Sequence, residues 1–599
     1  MQIYKKKFET YFYWSLFLAF LMGYFVNFVS LLPGDILGKF NVLMSSEVGA
    51  YFGLYWAQAF VPTMIGFICG FLVFIIGLAS YALNNDKGVY RNNEEHGSAK
   101  NATAKDLRKY ADKVEENNII FSALARMGLF NKRLPFKVQR NKNVFVLGDP
   151  GSGKTFTFVL PNLLQLHASF IVTDPKALLV RQVGWLLEKF GYTVKIFDLA
   201  NLTNSDRFNV FKYIKTELDI DRVLEAITEG TKKGDNQGED FWIKAEALLV
   251  RSLIAFLWFD GKDNNYTPHL GMIADMLRRI ERKDKKVPSP VENWFEELNQ
   301  RRPNNYAYKQ WTLFNDLYGA ETRMSVLAMA AGRFSVFDHE QVVDMIREDD
   351  MDIESWNEKK TAVFVAIPET NDTYNFLSAI FFATVAEVLR SKVDKVLSGE
   401  TILENGKQLL HVRFIIDEFA NIGRIPNIEK FLATFRSREM SITIIVQAID
   451  QLKTMYKNGW AGIIATCSTL LYLGGNEEST LKFLSGLAGK QTISVREPQY
   501  GQRNQKVRRG KSQARDLYTP DEISNIGGDE CLVFINKENV FQDKKYMLTD
   551  HPNAQYVADD YTHKYWYRYK RYMEEYDEWM DLAAQGQMID HGVIEEEAA

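Results

Sequence analysis

Cysteine and histidine are scarce in this chain, and their scarcity narrows its chemistry. Three cysteines, Cys69, Cys467 and Cys531, stand among 599 residues with no C-x-x-C spacing. That pattern argues against a disulfide framework and against structural zinc. The eight histidines are scattered without H-x-x-x-H, so they outline no metal site. An excess of charge is missing as well. A net charge of −4 exerts no global pull on nucleic acid, so any such contact must come from a local patch. Charged residues at 25% and hydrophobic ones at 46% are ordinary for a globular protein. At ~150 residues per domain, a chain of this length should hold three to four units.

Charge is most conspicuously absent near the start. Tyr11 to Leu32 and Val48 to Leu83 contain no charged side chain. A spanning helix needs ~20 apolar residues, so spans are expected at about 11–32 and 60–83, with a Gly- and aromatic-rich interfacial stretch before the second. The first run exceeds the ~7–15 residues of a signal-peptide core. Lys5, Lys6 and Lys7 precede the first span, and Lys87, Arg91, Lys100, Lys105, Arg108 and Lys109 follow the second, whereas the loop between them holds Lys39. The positive-inside rule then places both ends in the cytoplasm, in a multi-pass membrane protein.

Against that background one stretch stands out, Asn143-Val-Phe-Val-Leu-Gly-Asp-Pro-Gly-Ser-Gly-Lys-Thr155. An apolar strand, Val144–Leu147, runs into a Gly-rich turn, and a helix is expected from Phe156 to Leu166. Gly148, Gly153, Lys154 and Thr155 satisfy G-x-x-x-x-G-K-[ST], so Gly148, Asp149, Pro150, Gly151, Ser152, Gly153, Lys154 and Thr155 are expected to wrap nucleotide phosphates. Glycines let backbone N–H groups turn inward, and the helix N-terminus adds positive partial charge. Lys154 would reach the β- and γ-phosphates of ATP, and the Thr155 hydroxyl would ligate Mg²⁺.

Further strand-like runs follow at Phe170–Thr173, Thr193–Phe197, Thr361–Ile367, Val412–Ile416, Ser441–Val446 and Thr469–Leu473. Alternating with helical segments, they predict an α/β fold built on a doubly wound parallel sheet. Residues 219–350 lack strand alternation. Phe241 to Trp258 has apolar positions at helical spacing, interrupted by Lys244, Glu246 and Arg251, which makes it a core helix and not a third span. The expected organisation is therefore an anchor at 1–85, a first motor segment with linker at 86–218, an inserted all-α domain at 219–350, a second motor segment at 351–550, and an aromatic and acidic tail at 551–599.

Asp417 and Glu418 end the apolar run Phe414-Ile-Ile416, at the strand edge where open α/β sheets bind ligands. Asp417 would hold Mg²⁺ through water, and Glu418 is placed to orient and deprotonate an attacking water. Gln447 closes the next strand and is placed to sense the γ-phosphate. Arg436 and Arg438 precede that strand, where an arginine can complete a neighbouring subunit's site. Two basic patches are candidates for a phosphate backbone: Arg278–Lys286, and Arg496–Arg515, whose lack of apolar period reads as a loop. Tyr561 to Tyr576 is rich in aromatics and runs into an acidic end, which suits a partner-protein surface.

Several segments together resemble the type IV secretion coupling proteins, the TraG-like membrane-anchored ATPases of bacterial conjugation. They are Gly148–Thr155, Thr173-Asp-Pro-Lys176, Phe208-Asn-Val210, Phe241-Trp242, Phe364-Val-Ala-Ile-Pro368, Asp417-Glu-Phe-Ala-Asn-Ile-Gly423, Phe435-Arg-Ser-Arg438, Val446-Gln447 and Thr519-Pro-Asp-Glu522. The resemblance implies a RecA-like P-loop NTPase motor carrying an all-α domain, and a homo-hexameric ring. It also implies transfer of relaxase-bound single-stranded DNA toward the other subunits of a secretion channel. A coupling ATPase for protein effectors and a chromosome-segregation-type DNA translocase remain the alternatives. One departure stands out: where the family continues Asp-Pro-Lys with Gly-Glu, this chain has Ala177-Leu178. Alanine there is expected to strain the turn by ~1 kcal/mol if it needs positive φ.

Overall fold

The computed structural model describes residues 6–84, 94–230, 240–282, 286–368, 374–403, 408–500 and 506–569. The chain divides into two compact units, residues 1–98 with 492–515, and residues 99–491 with 516–599.

In the first unit, two helices are long and apolar enough to cross a membrane, Phe8–Leu31 and Met64–Leu83. The second starts later than its apolar run. Pro62 stops the preceding 3₁₀ turn, and the Thr63 hydroxyl accepts from Gly66 N at 3.1 Å, capping the new helix. The two helices pack through small residues. A Cβ on Gly70 would come within 2.7 Å of the Ala19 carbonyl, so the backbones approach as only glycine allows. Asn27, buried between the helices, accepts from the Thr63 hydroxyl at 2.6 Å and donates to the Ala59 carbonyl at 3.2 Å. Its polar atoms are thereby satisfied within the helix pair.

Thirteen strands are found among the described residues. β1 (Asn118–Ile120) and β2 (Arg126–Gly128) form a short antiparallel pair. The central strands are β3 (Val144–Leu147), β4 (Ser169–Thr173), β5 (Thr193–Asp198), β6 (Thr361–Ala366), β7 (Val412–Ile416), β8 (Met440–Val446) and β9 (Thr469–Tyr472). β10 (Lys490–Tyr500) and β11 (Lys506–Asp516) make a two-stranded hairpin, so the basic stretch read as a loop is strand over its described residues. Strand formation there comes from cross-strand pairing, which leaves no mark in a run without an apolar face. β12 (Glu530–Ile535) and β13 (Phe541–Lys544) follow.

The main sheet has nine strands in the order β13-β12-β9-β3-β8-β7-β4-β6-β5. Its seven central strands are parallel and lie at the expected positions, while β12 runs antiparallel to β9 and to β13. β3, β4, β6, β7 and β8 are buried at every residue, as mostly apolar strands are in a sheet covered on both faces.

β5 and β6 are parallel neighbours, with Thr193 opposite Thr361. The connection between them holds no strand over its described residues, and it contains helices Glu217–Gly230, Asp240–Asn264, Gly271–Arg278, Pro290–Arg301, Tyr306–Leu317, Ala320–Phe334 and Glu340–Arg347. The fold is thus a RecA-like doubly wound sheet with an all-α insertion in one crossover. Buried Glu246 on the long helix is held by both arms of Arg333, at 2.7 and 2.8 Å. In the basic patch of the insertion, Arg278 pairs with Asp275 and Asp338, and Arg282 pairs with Glu292. Residues 283–285 of that patch lie outside the described residues.

The aromatic C-terminal segment is not a free surface. Tyr567 N donates to the Arg181 carbonyl at 2.8 Å, and Tyr565 stacks on Trp185 at 4.2 Å. The Tyr567 ring fills the space a Cβ on Gly184 would take, at 2.5 Å. Tyr561 to Tyr569 therefore packs largely on helix Leu179–Lys189, because burying these rings in the chain's own groove removes more apolar area from water than leaving them exposed. Residues 570–599, including Tyr572, Tyr576 and the acidic run, lie outside the described residues.

Candidate functional site

The parallel strands bring four segments to one edge of the sheet. β3, β4, β7 and β8 are adjacent and run the same way, so the residues following each strand gather at their carboxyl ends. Those residues are Gly148–Thr155, Asp174–Leu178, Asp417–Glu418 and Gln447. The gathering follows from topology, since 262 positions separate Thr155 from Asp417.

The loop after β3 turns on Gly151 and Gly153, at φ +83° and +84°, values that L side chains rarely adopt. Gly148 is confined for a different reason, since a Cβ there would lie 2.5 Å from the Ser152 hydroxyl. The Asp149 carboxylate faces away from the turn and accepts from Asn476 N at 3.0 Å. The Lys154 ammonium folds over the loop and donates to the Gly148 carbonyl at 2.7 Å. The helix beyond departs from the expected Phe156–Leu166. Thr155–Val159 is a wide π turn in which Leu160 N donates to Thr155 O, and Leu160–Leu163 is α-helical. Pro161 explains the departure: without an N–H it cannot bond to Thr157 O, and its ring pushes the preceding turn open.

Thr155 Oγ1 donates to Asp417 Oδ2 at 3.1 Å, joining the two residues expected to hold Mg²⁺. The Thr173 hydroxyl donates to the Asp417 carbonyl at 2.6 Å and fixes that backbone. Burial pushes the Asp417 carboxyl above the usual carboxylate range, while the Lys154 ammonium and the Thr155 hydrogen bond oppose the shift. Glu418 has φ +57°, a left-handed conformation uncommon for glutamate. That twist turns its carboxylate to Gln447, whose Nε2 donates to Oε1 at 2.6 Å. The sequence placed Gln447 to sense a γ-phosphate; in the structure its amide is bonded to the Glu418 carboxylate.

Arg436 and Arg438 are not brought to this edge. They precede β8 whereas Gln447 follows it, so they lie at the opposite end of that strand. Arg438 is committed to Asp394, at 2.8 and 3.2 Å, while Arg436 is exposed and has no ion pair among the described residues. Sequence reasoning missed Lys545, which follows β13 and donates to the Ser152 carbonyl at 2.9 Å. No motif marks it; it arrives through the antiparallel extension of the sheet.

The residues present fit a nucleotide phosphate with a divalent cation. The loop has positive-φ glycines where N–H groups must turn inward, and a buried Ser152 hydroxyl with no hydrogen-bond partner among the described residues. A hydroxyl and a carboxylate stand together beside it, the hard oxygen donors that magnesium prefers.

Comparison with known proteins agrees with this geometry. The family model for type IV secretory system conjugative DNA transfer matches residues 95–565. The chain is 23% identical over 503 residues to a conjugal transfer protein TraG of Escherichia coli, covering 77% of this chain and 76% of that protein. It is 20% identical over 499 residues to protein VirD4 of Agrobacterium fabrum, covering 78% and 68% respectively. Among solved structures, the plasmid coupling protein TrwB in complex with the ATP analogue ADPNP aligns with a TM-score of 0.54 at 16% identity, over 77% of this chain and 96% of that one. TrwB in complex with ADP and Mg²⁺ aligns with a TM-score of 0.53 at 15% identity, over 77% and 97%. At such identities the structures speak to the fold. The family match, running through most of the chain, decides the rest: this protein belongs to the type IV secretory system conjugative DNA transfer family.

Proposed function

We propose that this protein is a membrane-anchored ATPase that recruits a relaxase–DNA substrate and drives its transfer through a type IV secretion channel. The observation that carries this reading is the convergence at the sheet edge, where Thr155 meets Asp417 at 3.1 Å and Gln447 meets Glu418 at 2.6 Å. Lys154 would swing from the loop carbonyls to the β- and γ-phosphates, exchanging neutral acceptors for charged ones. Thr155 and Asp417 would hold Mg²⁺, which when bound neutralises charge on the phosphate oxygens. Glu418 would take the proton of the attacking water, with Gln447 keeping its carboxylate in place. TrwB in complex with ADPNP and with ADP and Mg²⁺ supports ATP and magnesium as the ligands.

The two apolar helices, Phe8–Leu31 and Met64–Leu83, would anchor the motor with both termini in the cytoplasm. Residues 219–350 would act as an all-α domain beside the motor, and six copies would form the working ring. Turnover by the full-length protein in detergent tests the site. Lys154→Ala should lose nucleotide binding. Glu418→Gln should keep ATP binding and lose ~10²–10⁴-fold in rate, the usual contribution of a positioned base. Wild-type turnover by Glu418→Gln would remove the base assignment, and wild-type binding by Lys154→Ala would remove the site.

A further inference from the structure

We infer that Lys545 is a positioning residue for the phosphate loop, one that presets the peptide between Ser152 and Gly153 so that its N–H faces the nucleotide. The inference rests on the nucleotide reading of Gly148–Thr155 given above.

Lys545 is only 7% exposed, and its ammonium makes one hydrogen bond among the described residues, to the Ser152 carbonyl at 2.9 Å. Burying an ammonium is costly unless it earns a specific contact, and this one is spent on a single loop carbonyl. The consequence comes from peptide geometry. In a trans peptide the carbonyl and the following N–H point in opposite directions, because the unit is planar. Holding the Ser152 oxygen on the outer side therefore aims the Gly153 N–H inward. Gly153 sits at φ +84°, so one flank of this peptide has little intrinsic stiffness, and Gly151 at +83° loosens the turn just before it. Left alone, such a peptide can flip and lose its inward donor. An external charge on the carbonyl supplies the stiffness that the glycines lack.

The lysine is itself anchored. Its backbone N donates to the Asp529 carbonyl at 2.7 Å, and it directly follows β13, which is paired to β12 over four residue pairs. Desolvation favours the neutral amine, and the nearby Asp529 carboxylate opposes that shift. Lys545 is distinct in role from Lys154. Lys154 lies inside the loop and would touch phosphate, whereas Lys545 bonds from outside to a carbonyl, which carries no charge for the ligand to compete with.

Binding of a fluorescent ATP analogue and of its ADP counterpart, with turnover measured in parallel, tests this on the full-length protein in detergent. Lys545→Met keeps the aliphatic stem and removes the donors. It should raise Kd and KM about tenfold, the value of a charge-assisted hydrogen bond, with kcat within twofold of wild type. The loss should be equal for ATP and ADP, since loop N–H groups serve the α- and β-phosphates. Lys545→Arg, which restores a charged donor, should recover most of the affinity. Three results would overturn the inference: Kd within twofold of wild type in Lys545→Met, a loss confined to ATP, or equal losses in Met and Arg variants that track a fall in thermal stability. Lys154→Ala separates this from the parent reading. If Lys154→Ala binds nucleotide normally the loop is not the site, whereas if only Lys545→Met binds normally the positioning role alone falls.

Discussion

Two residues at the sheet edge are held in left-handed backbone, and their costs differ in purpose. Glu418 at φ +57° uses its twist to face Gln447. Ala177 at φ +49° closes the turn after β4, where Asp174 accepts from Leu178 N at 3.0 Å and from Val180 N at 2.9 Å. Those two bonds satisfy donors at the start of helix Leu179–Lys189 and hold the turn against its strain. A methyl group in this region costs ~1–2 kcal/mol relative to glycine. Glycine in turn has more freedom to lose from the unfolded chain, worth ~0.4–1 kcal/mol. Ala177→Gly should therefore stabilise the protein by up to about 1.5 kcal/mol. Thermal unfolding should show a higher midpoint with turnover unchanged; a lower midpoint would mean that the methyl group packs better than its backbone cost.

Among elements, helix Leu179–Lys189 does two jobs. Its start belongs to the turn beside Asp417, and its flank carries the aromatic segment through Tyr565, Tyr567 and Tyr569. Tyr567 is 2% exposed and its ring occupies the notch at Gly184. Tyr567→Ala should destabilise the protein by about 3 kcal/mol, the low end for emptying a buried aromatic site. Deletion of residues 574–599 should leave both stability and turnover as they were, because Tyr565, Tyr567 and Tyr569, the rings that pack on this helix among the described residues, all precede it. Differential scanning of the two variants checks this, and a stability loss on truncation would show that the acidic end belongs to the fold.

For the whole molecule, the separation of Arg436 and Arg438 from their own chain's site turns attention to the neighbouring subunit. Arg436 is the freer of the two, since Arg438 is bonded to Asp394. In an equal mixture of Arg436→Ala and Lys154→Ala subunits, half of the sites keep Lys154 and half of those meet an intact arginine. Turnover should recover to about a quarter of wild type if the finger acts across subunits of a closed ring. Absence of any recovery across mixing ratios would confine Arg436 to a structural role.

Sequence alone determined what depends on local order. The seven parallel strands announced themselves as short, mostly apolar runs, because strands in a sheet covered on both faces are largely apolar. The phosphate loop did so because its glycines, lysine and threonine act within one turn. The two apolar helices followed from a bilayer's fixed thickness. Asp417 and Glu418 were legible as carboxylates ending a strand. Tertiary structure decided which strand ends become neighbours, and with that the meeting of Thr155 with Asp417 across 262 positions and of Gln447 with Glu418. It also turned a basic run into the β10–β11 hairpin, folded Tyr567 onto Gly184, and carried Lys545 to the outside of the loop. The reason is common to all of these. Pairing register and groove complementarity depend on residues far apart in the chain, and no periodicity within either partner records the other.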